Sequence, residues 1–123
     1  MPRRSTLDDV TDERRASPRL PASLAGEIET PEGKSSIAIS RDIGVGGLRV
    51  FARSRMPAGT RIKLTVVHQQ QQMKLEGTVV RCEELEPGTS TLWRTTLAIS
   101  VDEGDPVLTQ LYAAIAAGGS EAN

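Results

Sequence analysis

The stretch IAISRDIGVGGLRVF, residues 37–51, contains two strand-like runs separated by a glycine-rich turn. In the first run Ile37 and Ile39 alternate with small or polar residues, and in the second an apolar segment follows Gly47 directly. Alternation with a period of two is typical of a β-strand, and clustered glycines between two such runs mark a tight connection. The stretch therefore predicts two consecutive β-strands joined by a short loop.

Strand patterns continue on both sides of this stretch. On the N-terminal side Leu24 and Ile28 alternate with glutamates, and the turn residues 31–33 (PEG) predict a hairpin into the next strand. On the C-terminal side the sequence predicts three further strands, at residues 61–68, 73–82 and 92–101. The glutamine run 69–72 is expected to be a hairpin tip, and a loop around residues 87–88 is expected to join the last two strands.

The periodicity changes after the last predicted strand. Asp105-Pro106 is a favourable helix start, because an aspartate caps free amide groups and proline suits the first helical position. An apolar stripe follows at helical spacing, formed by Val107, Leu108, Leu111 and Ile115, and Gly118-Gly119 ends it. Six short strands followed by one helix predict an all-β fold, a six-stranded antiparallel barrel with a C-terminal α-helix.

The overall charge of the chain argues against a nucleic-acid-binding barrel. Its 123 residues contain 15 Lys and Arg against 16 Asp and Glu, so the formal net charge is −1. A near-neutral protein has no general attraction for polyanions. Phe51, Trp93 and Tyr112 are the only aromatic residues, too few for a platform on which successive bases stack.

Cysteine and histidine usage excludes two further kinds of protein. Cys82 is the only cysteine, so the chain has no internal disulfide, and His68 is the only histidine, so a His/Cys zinc cluster lacks ligands. No apolar run approaches the ~18 residues that a membrane span needs, and the N-terminal arginines are not followed by an apolar signal segment. The sequence predicts a cytoplasmic protein without a membrane span or a metal site.

A chain of this length has room for one domain. Residues 1–13 are polar and without periodicity, which predicts a flexible N-terminal arm. Residues 14–118 are expected to form the barrel domain with its closing helix, and residues 119–123 a disordered tail.

Two short motifs flank the first predicted hairpin. RASPR, residues 15–19, places two arginines four positions apart just before the first strand, and DIGVGG, residues 42–47, lies at the turn between the second and third strands. In this order they resemble the signature of the PilZ family of cyclic di-GMP receptors, R-x-x-x-R in an N-terminal loop and [D/N]-x-S-x-x-G at a strand–strand turn. The resemblance covers roughly residues 14–101 and agrees with the six-stranded PilZ barrel.

The resemblance also implies a set of ligand-binding residues. In the family the paired arginines contact guanine edges and phosphates, because a guanidinium fork matches both groups with two hydrogen bonds. A carboxylate in the second motif accepts hydrogen bonds from the guanine N1–H and N2–H groups. Gly46 and Gly47 are expected to allow positive φ angles and a close approach of the ligand to the backbone. The implied ligand-binding residues are Arg14, Arg15, Arg19, Asp42, Gly44 and Gly47.

One position departs from the family pattern, since Gly44 stands where the signature has serine. Loss of one hydroxyl hydrogen bond weakens binding by about 0.5–1.5 kcal/mol, which is roughly two- to tenfold in affinity. The departure keeps an alternative open, a PilZ-fold protein-interaction module with weak or no cyclic di-GMP binding. Without the resemblance, the arginines of residues 15–19 indicate a solvated basic arm, and the glycines of residues 42–47 indicate a tight turn.

The resemblance implies a regulatory domain that changes conformation or partner binding when it captures cyclic di-GMP. The expected partners are cyclic di-GMP and an unidentified protein, without DNA or membrane, and the domain is expected to be a monomer or homodimer with no cofactor. An enzyme is not expected, because the chain has no phosphate-loop motif, metal cluster or clear acid–base pair. Arg49, Arg53 and Arg81 are interpreted as charges on strand faces or on the barrel rim. Since the barrel surface contributes to the site in the family, the resemblance leaves open that one of these arginines belongs to it. Ordering of the N-terminal arm by the ligand is a hypothesis for the signalling output.

Overall fold

The computed structural model describes residues 19–118 of the chain. The predicted arm at 1–13, the predicted tail at 119–123, and Arg14 and Arg15 lie outside the described residues. The described part forms seven β-strands and one α-helix: β1 Leu20–Pro21, β2 Ala25–Glu29, β3 Ser35–Ile43, β4 Gly47–Ala52, β5 Arg61–His68, β6 Gln71–Glu84, β7 Thr95–Val101 and α1 Pro106–Gly118.

Six of these strands close into an antiparallel barrel. In order around the ring, β3 pairs with β2, β2 with β5, β5 with β6, β6 with β7, β7 with β4, and β4 returns to β3. The two-residue strand β1 pairs with the C-terminal end of β3, beside the shorter β2. The predicted fold class, a six-stranded antiparallel barrel with one C-terminal helix, is confirmed.

The hairpin turns follow the predicted turn chemistry. Gly33, in the turn between β2 and β3, has a φ of 89°. Gln69 and Gln70 form the tip between β5 and β6, both with positive φ, which is the backbone of a tight two-residue hairpin. Gln71 and Gln72 already pair with β5, so only half of the glutamine run is tip. The strand β6 is accordingly longer than predicted, at 14 residues.

The start of β7 also differs from the expectation. The strand β7 begins at Thr95, three residues after the predicted start at Leu92. The hydroxyl of Ser90 accepts hydrogen bonds from the backbone N–H groups of Leu92 and Trp93, at 3.0 Å each. These local bonds hold residues 90–93 in a turn, which is why the strand starts later than its apolar pattern indicated.

A polar residue, Ser40, determines which face of β3 points into the barrel. The alternation at 37–40 is present, but Ala38 and Ser40 are buried while Ile37 is 47% exposed. The Ser40 hydroxyl accepts a hydrogen bond from the backbone N–H of Leu24 at 2.8 Å and donates one to the carbonyl of Ala22. These bonds bridge the irregular segment between β1 and β2, so Ser40 points inward and the isoleucines point outward.

Two β-bulges change which side chains reach the outer surface. In β3 the register shifts between Ser40 and Asp42, so that Asp42 lies opposite Arg49 of β4. A regular strand would place Asp42 on the inward face with Ser40, whereas the extra residue, Arg41, turns Asp42 outward. In β6 a second shift between Val79 and Arg81 leaves Val80 as the extra residue.

The helix α1 begins as the sequence predicts. The Asp105 carboxylate accepts a hydrogen bond from the backbone N–H of Val107 at 2.8 Å, which satisfies one of the free amide groups at the helix start. Leu108, Leu111 and Ile115 are buried in the core, and the helix contacts β6 and β1. Within residues 19–118, no helix has both the length and the apolar character needed to span a bilayer.

Candidate ligand-binding site

The centre of the candidate site is the carboxylate of Asp42, which binds two arginines. Arg49 donates to Oδ2 from Nη2 at 2.6 Å and from Nε at 3.0 Å, and its Nε also lies 3.2 Å from Oδ1. Arg19 donates from Nε to Oδ1 at 2.9 Å. The Asp42 side chain is only 12% exposed, whereas those of Arg19 and Arg49 are 44% and 38% exposed. The three residues, here called the Asp42 cluster, carry one net positive charge.

Strand pairing brings these residues together from distant parts of the sequence. The strand β1 pairs Leu20 with Ile43 and Pro21 with Asp42, so Arg19, which directly precedes β1, lies beside Gly44. The bulge in β3 turns Asp42 to the outer surface, and the β3–β4 ladder places Arg49 opposite it. The two predicted motifs therefore meet at one place, because β1 lies along the end of β3.

The electrostatics of the cluster favour the charged forms of Asp42 and Arg49. Burial by itself raises the pKa of the Asp42 carboxyl, but hydrogen bonds and positive charge from Arg49 and Arg19 outweigh it, so that pKa lies below its usual value. The hydrogen bond to Asp42 raises the pKa of Arg49 against the effect of burial. Asp42 is therefore an ionised hydrogen-bond acceptor at neutral pH.

A surface groove of about 330 Å³ lies beside the cluster. Its lining consists of Arg19, residues 44–48, Val80 of β6 and residues 98–100 of β7. Gly46, one of the lining residues, has nothing within 4 Å of the position of an added Cβ. The groove is open to a ligand that needs close contact with a backbone surface.

The glycines of the loop have a different role from the predicted one. The prediction that Gly46 and Gly47 adopt positive φ is wrong, because the positive-φ glycines of the described residues are Gly33, Gly59, Gly88 and Gly104. Gly47 is buried, and a Cβ added there would collide with the backbone carbonyl oxygen of Ile99. The requirement for glycine at Gly47 is thus the close approach of β4 to β7, not a left-handed turn.

The side chain of Arg19 packs against the backbone of Gly44. A Cβ added at Gly44 would lie 3.1 Å from Nη1 of Arg19, tighter than ordinary van der Waals contact. The guanidinium therefore lies against the backbone of the loop at the position where the family signature has serine. A side chain at Gly44 would displace the guanidinium by a few tenths of an ångström, which a flexible arginine can accommodate.

The structure brings together every predicted site residue that it describes. Arg19 and Asp42 are ion-paired, and Gly44 and Gly47 line the groove beside them. Arg14 and Arg15 lie outside the described residues. Sequence reasoning left open whether one of Arg49, Arg53 and Arg81 belongs to the site and did not single out Arg49, because its pairing with Asp42 depends on the bulge in β3. Its position two residues after Gly47, out of phase with the apolar residues of β4, is the signal that points to it.

A larger cleft, of about 640 Å³, lies at the other end of the β4–β7 ladder. Residues 53–55, the loop that begins at Glu84, and the half-buried Trp93 line it. None of the predicted site residues that the structure describes lines this cleft. Among residues 19–118, no group of three or more His, Cys, Asp or Glu side chains is arranged to hold a metal ion.

Comparison with protein families gives one match, and it covers most of the chain. The family model for the PilZ domain matches residues 13–114, which include both motifs and all the strands. A search of curated proteins found no match.

Solved structures with a similar fold come from several bacteria. The PilZ domain with c-di-GMP of YcgR from Escherichia coli superimposes with a TM-score of 0.69 and 18% identity, over 89% of this chain and 94% of that chain. The PilZ domain of CeSA from a cellulose-synthesizing bacterium has a TM-score of 0.61 and 17% identity, over 81% and 99% of the two chains. The inhibitor of motility MotI/DgrA of Bacillus subtilis has a TM-score of 0.65 and 19% identity, over 89% and 54%. At these identities the similarity establishes a shared fold.

Proposed function

The chain belongs to the PilZ domain family, and on that premise we propose that it is a regulatory receptor domain that binds cyclic di-GMP beside Asp42. The observation that carries the proposal is the Asp42 cluster itself. Arg19 of the first motif and Asp42 of the second lie 23 positions apart in the sequence, and in the structure they form an ion pair at the edge of an open groove.

The chemistry of the cluster suits a guanine nucleotide with phosphate charges. An arginine fork donates two parallel hydrogen bonds either to guanine O6 and N7 or to a phosphate. The ionised Asp42 accepts from the guanine N1–H and N2–H groups, which adenine does not offer in the same arrangement. The single net positive charge of the cluster favours an anionic ligand over a neutral one.

Two further observations support the proposal. The fold is similar to the PilZ domain of YcgR, a protein whose structure is described with c-di-GMP. Arg14 and Arg15 precede Arg19 in an R-R-x-x-x-R spacing, and we assign them to the phosphates and the second guanine of the ligand. Both arginines approach the groove if the chain before Arg19 folds over it when the ligand binds.

We further propose that the output of the domain is a change in the segment before β1, read by a protein partner in the cytoplasm. The bound ligand would connect Arg15 and Arg19 to the barrel surface, so that residues 1–13 are drawn against it. A binding event of this kind acts without catalysis. The domain is proposed to work as a monomer or homodimer, free of DNA and membrane.

The proposal is tested by calorimetric titration of the full chain with cyclic di-GMP, and with cyclic di-AMP as the matched control. We expect saturable heat with cyclic di-GMP and much weaker binding of cyclic di-AMP, because Asp42 finds no N1–H donor on adenine. Arg15→Ala is expected to lose about 1.5–3 kcal/mol of binding free energy, as for a hydrogen bond to a charged group. Absence of heat from folded wild-type protein at tens of micromolar would overturn the proposal and leave a protein-interaction module.

A further inference from the structure

The cleft of about 640 Å³ at the far end of the β4–β7 ladder, here called the Trp93 cleft, has no part in the proposed function. Its volume is large enough for several side chains of a peptide. Its lining includes Trp93, three arginines and two glutamates, which are Arg53, Arg55, Arg94, Glu84 and Glu86. These charges leave one net positive charge, so the cleft combines an aromatic ring with a basic surface.

Hydrogen bonds to the main chain fix the loops that form the Trp93 cleft. The backbone N–H of Leu85 donates to the carbonyl of Arg94 at 2.9 Å, and that of Arg94 donates to the carbonyl of Ala52 at the same distance. The hydroxyl of Thr95 donates to the carbonyl of Ser54 at 3.0 Å. The walls of the cleft are therefore ordered in advance, which lowers the entropy cost of binding there.

Several donors of the cleft have no partner within residues 19–118. Arg55 pairs with Glu84 at 3.3 Å, whereas Arg53 and Arg94 form no ion pair with a described residue. The indole N–H of the half-buried Trp93 likewise donates to no described residue. Tryptophan and arginine are residue types that often dominate binding at protein interfaces. A suitable occupant supplies carboxylates for the arginines and an apolar side chain for the ring.

The chain itself contains a segment with this chemistry. Residues 7–13, LDDVTDE, here called the acidic segment, carry four carboxylates, no basic residue and the apolar side chains of Leu7 and Val10. The other segment outside the described residues long enough to compare, 119–123, has one acidic side chain and no apolar residue larger than alanine. Opposite charge and apolar contact therefore favour the acidic segment as the occupant of the cleft.

The connection between the acidic segment and the barrel is long enough for this contact. The β4–β7 ladder advances five residues from Gly47 to Ala52, or about 17 Å. Arg19 lies at the Gly47 end, because it packs against Gly44, whose backbone N–H donates to the carbonyl of Gly47. An extended chain covers about 20 Å between Arg19 and residue 13, and about 36 Å between Arg19 and residue 8.

We propose that the acidic segment occupies the Trp93 cleft of its own chain, with its carboxylates on Arg53 and Arg94 and with Val10 against the indole ring. Acids lie on both sides of Val10, so they meet the arginines while the valine meets the ring. The contact holds the segment at the other end of the β4–β7 ladder from the groove beside Arg19. It requires no ligand and is independent of the proposed function.

The fluorescence of Trp93, the only tryptophan of the chain, reports on the cleft. In the full-length variant Asp8→Asn/Asp9→Asn/Asp12→Asn/Glu13→Gln, emission is expected to shift to longer wavelength and acrylamide quenching to increase, because water reaches the ring. Raising the salt concentration from about 0.1 M to about 1 M shortens the Debye length from about 10 Å to about 3 Å. This change is expected to shift the emission of the wild type in the same direction and to leave the variant unchanged.

The matched control removes the same number of negative charges from the barrel surface. It neutralises four exposed glutamates that do not line the Trp93 cleft, in the variant Glu27→Gln/Glu29→Gln/Glu32→Gln/Glu103→Gln. Its emission and quenching are expected to equal those of the wild type. A change in the control as large as in the acidic-segment variant would contradict the proposal, because general charge would then explain both.

A spin label measures the position of the segment directly. Attached to Ser5→Cys in a Cys82→Ala background, the label is expected to broaden the backbone NMR signals of residues 88–91 and not those of the hairpin tip at residues 69–70. A mixture of spin-labelled protein without isotope and isotope-labelled protein without a spin label is expected to show no broadening, because the contact is made within one chain.

Unchanged Trp93 emission in the acidic-segment variant, or a label that broadens no signal of the cleft, would overturn the proposal and leave the cleft to a partner protein. Broadening in the mixed sample would also overturn it, since the occupant would then be the segment of a second copy. None of these measurements uses cyclic di-GMP, so failure of this contact and failure of the proposed function are distinguished.

Discussion

The barrel carries two arginine–aspartate clusters of similar local geometry and different surroundings. In the Asp42 cluster, the carboxylate is 12% exposed and binds Arg19 and Arg49. On another face, Arg61 binds the carboxylate of Asp102 through two nitrogens, at 2.8 and 3.1 Å, and both side chains are 50% exposed. Arg61 also lies 3.6 Å from Glu76. The two clusters therefore share their chemistry but not their burial or their charge balance.

We propose that this difference separates the candidate binding site from a surface ion pair. The Asp42 cluster has one guanidinium more than carboxylates and borders a groove, so it presents positive charge to a ligand. The Arg61 cluster has one carboxylate more than guanidinium groups, and its side chains are half exposed, so salt and water screen it. Pairing geometry alone does not identify a site. The excess charge and the adjoining cavity do.

The largest expected effect comes from removing the shared carboxylate. Asp42→Ala leaves Arg19 and Arg49 unpaired beside each other and removes the acceptor for guanine, so cyclic di-GMP affinity is expected to fall roughly a hundredfold or more. The free energy of unfolding is expected to fall by about 1.5–3 kcal/mol, as for hydrogen bonds to a charged group. Calorimetry and urea denaturation measure the two effects.

Asp102→Ala is the matched control for this change. It removes a carboxylate with two arginine hydrogen bonds from a solvent-exposed position, and neither binding nor the denaturation midpoint is expected to change appreciably. Equal losses in the two variants would show that the distinction between the clusters is wrong.

The next largest effect is expected from the arginine before β1. Arg19→Ala removes a bidentate donor at the groove, and affinity for cyclic di-GMP is expected to fall roughly tenfold to a hundredfold. Stability should change little, because the Arg19 side chain is 44% exposed and Arg49 still pairs with Asp42. Arg61→Ala, tested by the same titration, is expected to bind like the wild type. A loss of affinity in Arg61→Ala would mean that the ligand binds elsewhere or that general charge governs binding.

A smaller effect concerns acid stability. Because the folded-state pKa of Asp42 lies below its unfolded value, the carboxylate contributes stability that is present above the unfolded pKa and is lost as pH falls through the folded one. Below about pH 4 the wild type should therefore lose stability more steeply than Asp42→Asn, which has no such proton to bind. Denaturation at pH 7 and pH 3 measures the difference, and parallel pH profiles for the two proteins would contradict it.

The smallest expected effect restores the family serine. Gly44→Ser supplies a hydroxyl beside Arg19, and affinity for cyclic di-GMP is expected to rise about two- to tenfold. Gly118→Ser at the end of α1 is the control, because nothing lies within 4 Å of its added Cβ and Gly118 does not line the groove. If Gly44→Ser binds more weakly than the wild type and the control, the close contact of the Arg19 guanidinium with the backbone at Gly44 is itself required for binding.

Much of the fold and part of the site were predictable from local sequence. The turn at 31–33, the glutamine tip and the Asp105-Pro106 helix start depend on the backbone preferences of a few neighbouring residues, and the structure confirms them. Arg19 and Asp42 were predicted from motif spacing, and they are ion-paired. The assignment of these residues to ligand binding stays a prediction.

The sequence predictions fail for residues whose surroundings depend on a strand that is distant in the sequence. Positive φ was expected at Gly47 from its place in a glycine cluster, but the backbone of β7 is what excludes a side chain there. Arg49 was left open as one of three arginines on the barrel surface, and Val80 was not considered. Arg49 lies opposite the residue that a bulge turns outward, and Val80 lies inside a bulge. A bulge changes the direction of a side chain without changing the apolar alternation by which strands are recognised.

The sequence by itself determined the strand and helix elements, the turns between them and the two motifs, because these depend on residues close together in the chain. Only the tertiary structure decided that Arg19 and Asp42 meet, that Ser40 and not Ile39 faces the core, and that two valines border the groove. The physical reason is strand registry. One extra residue in β3 or in β6 turns a side chain from the core to the surface, and that registry is selected by the whole closed barrel.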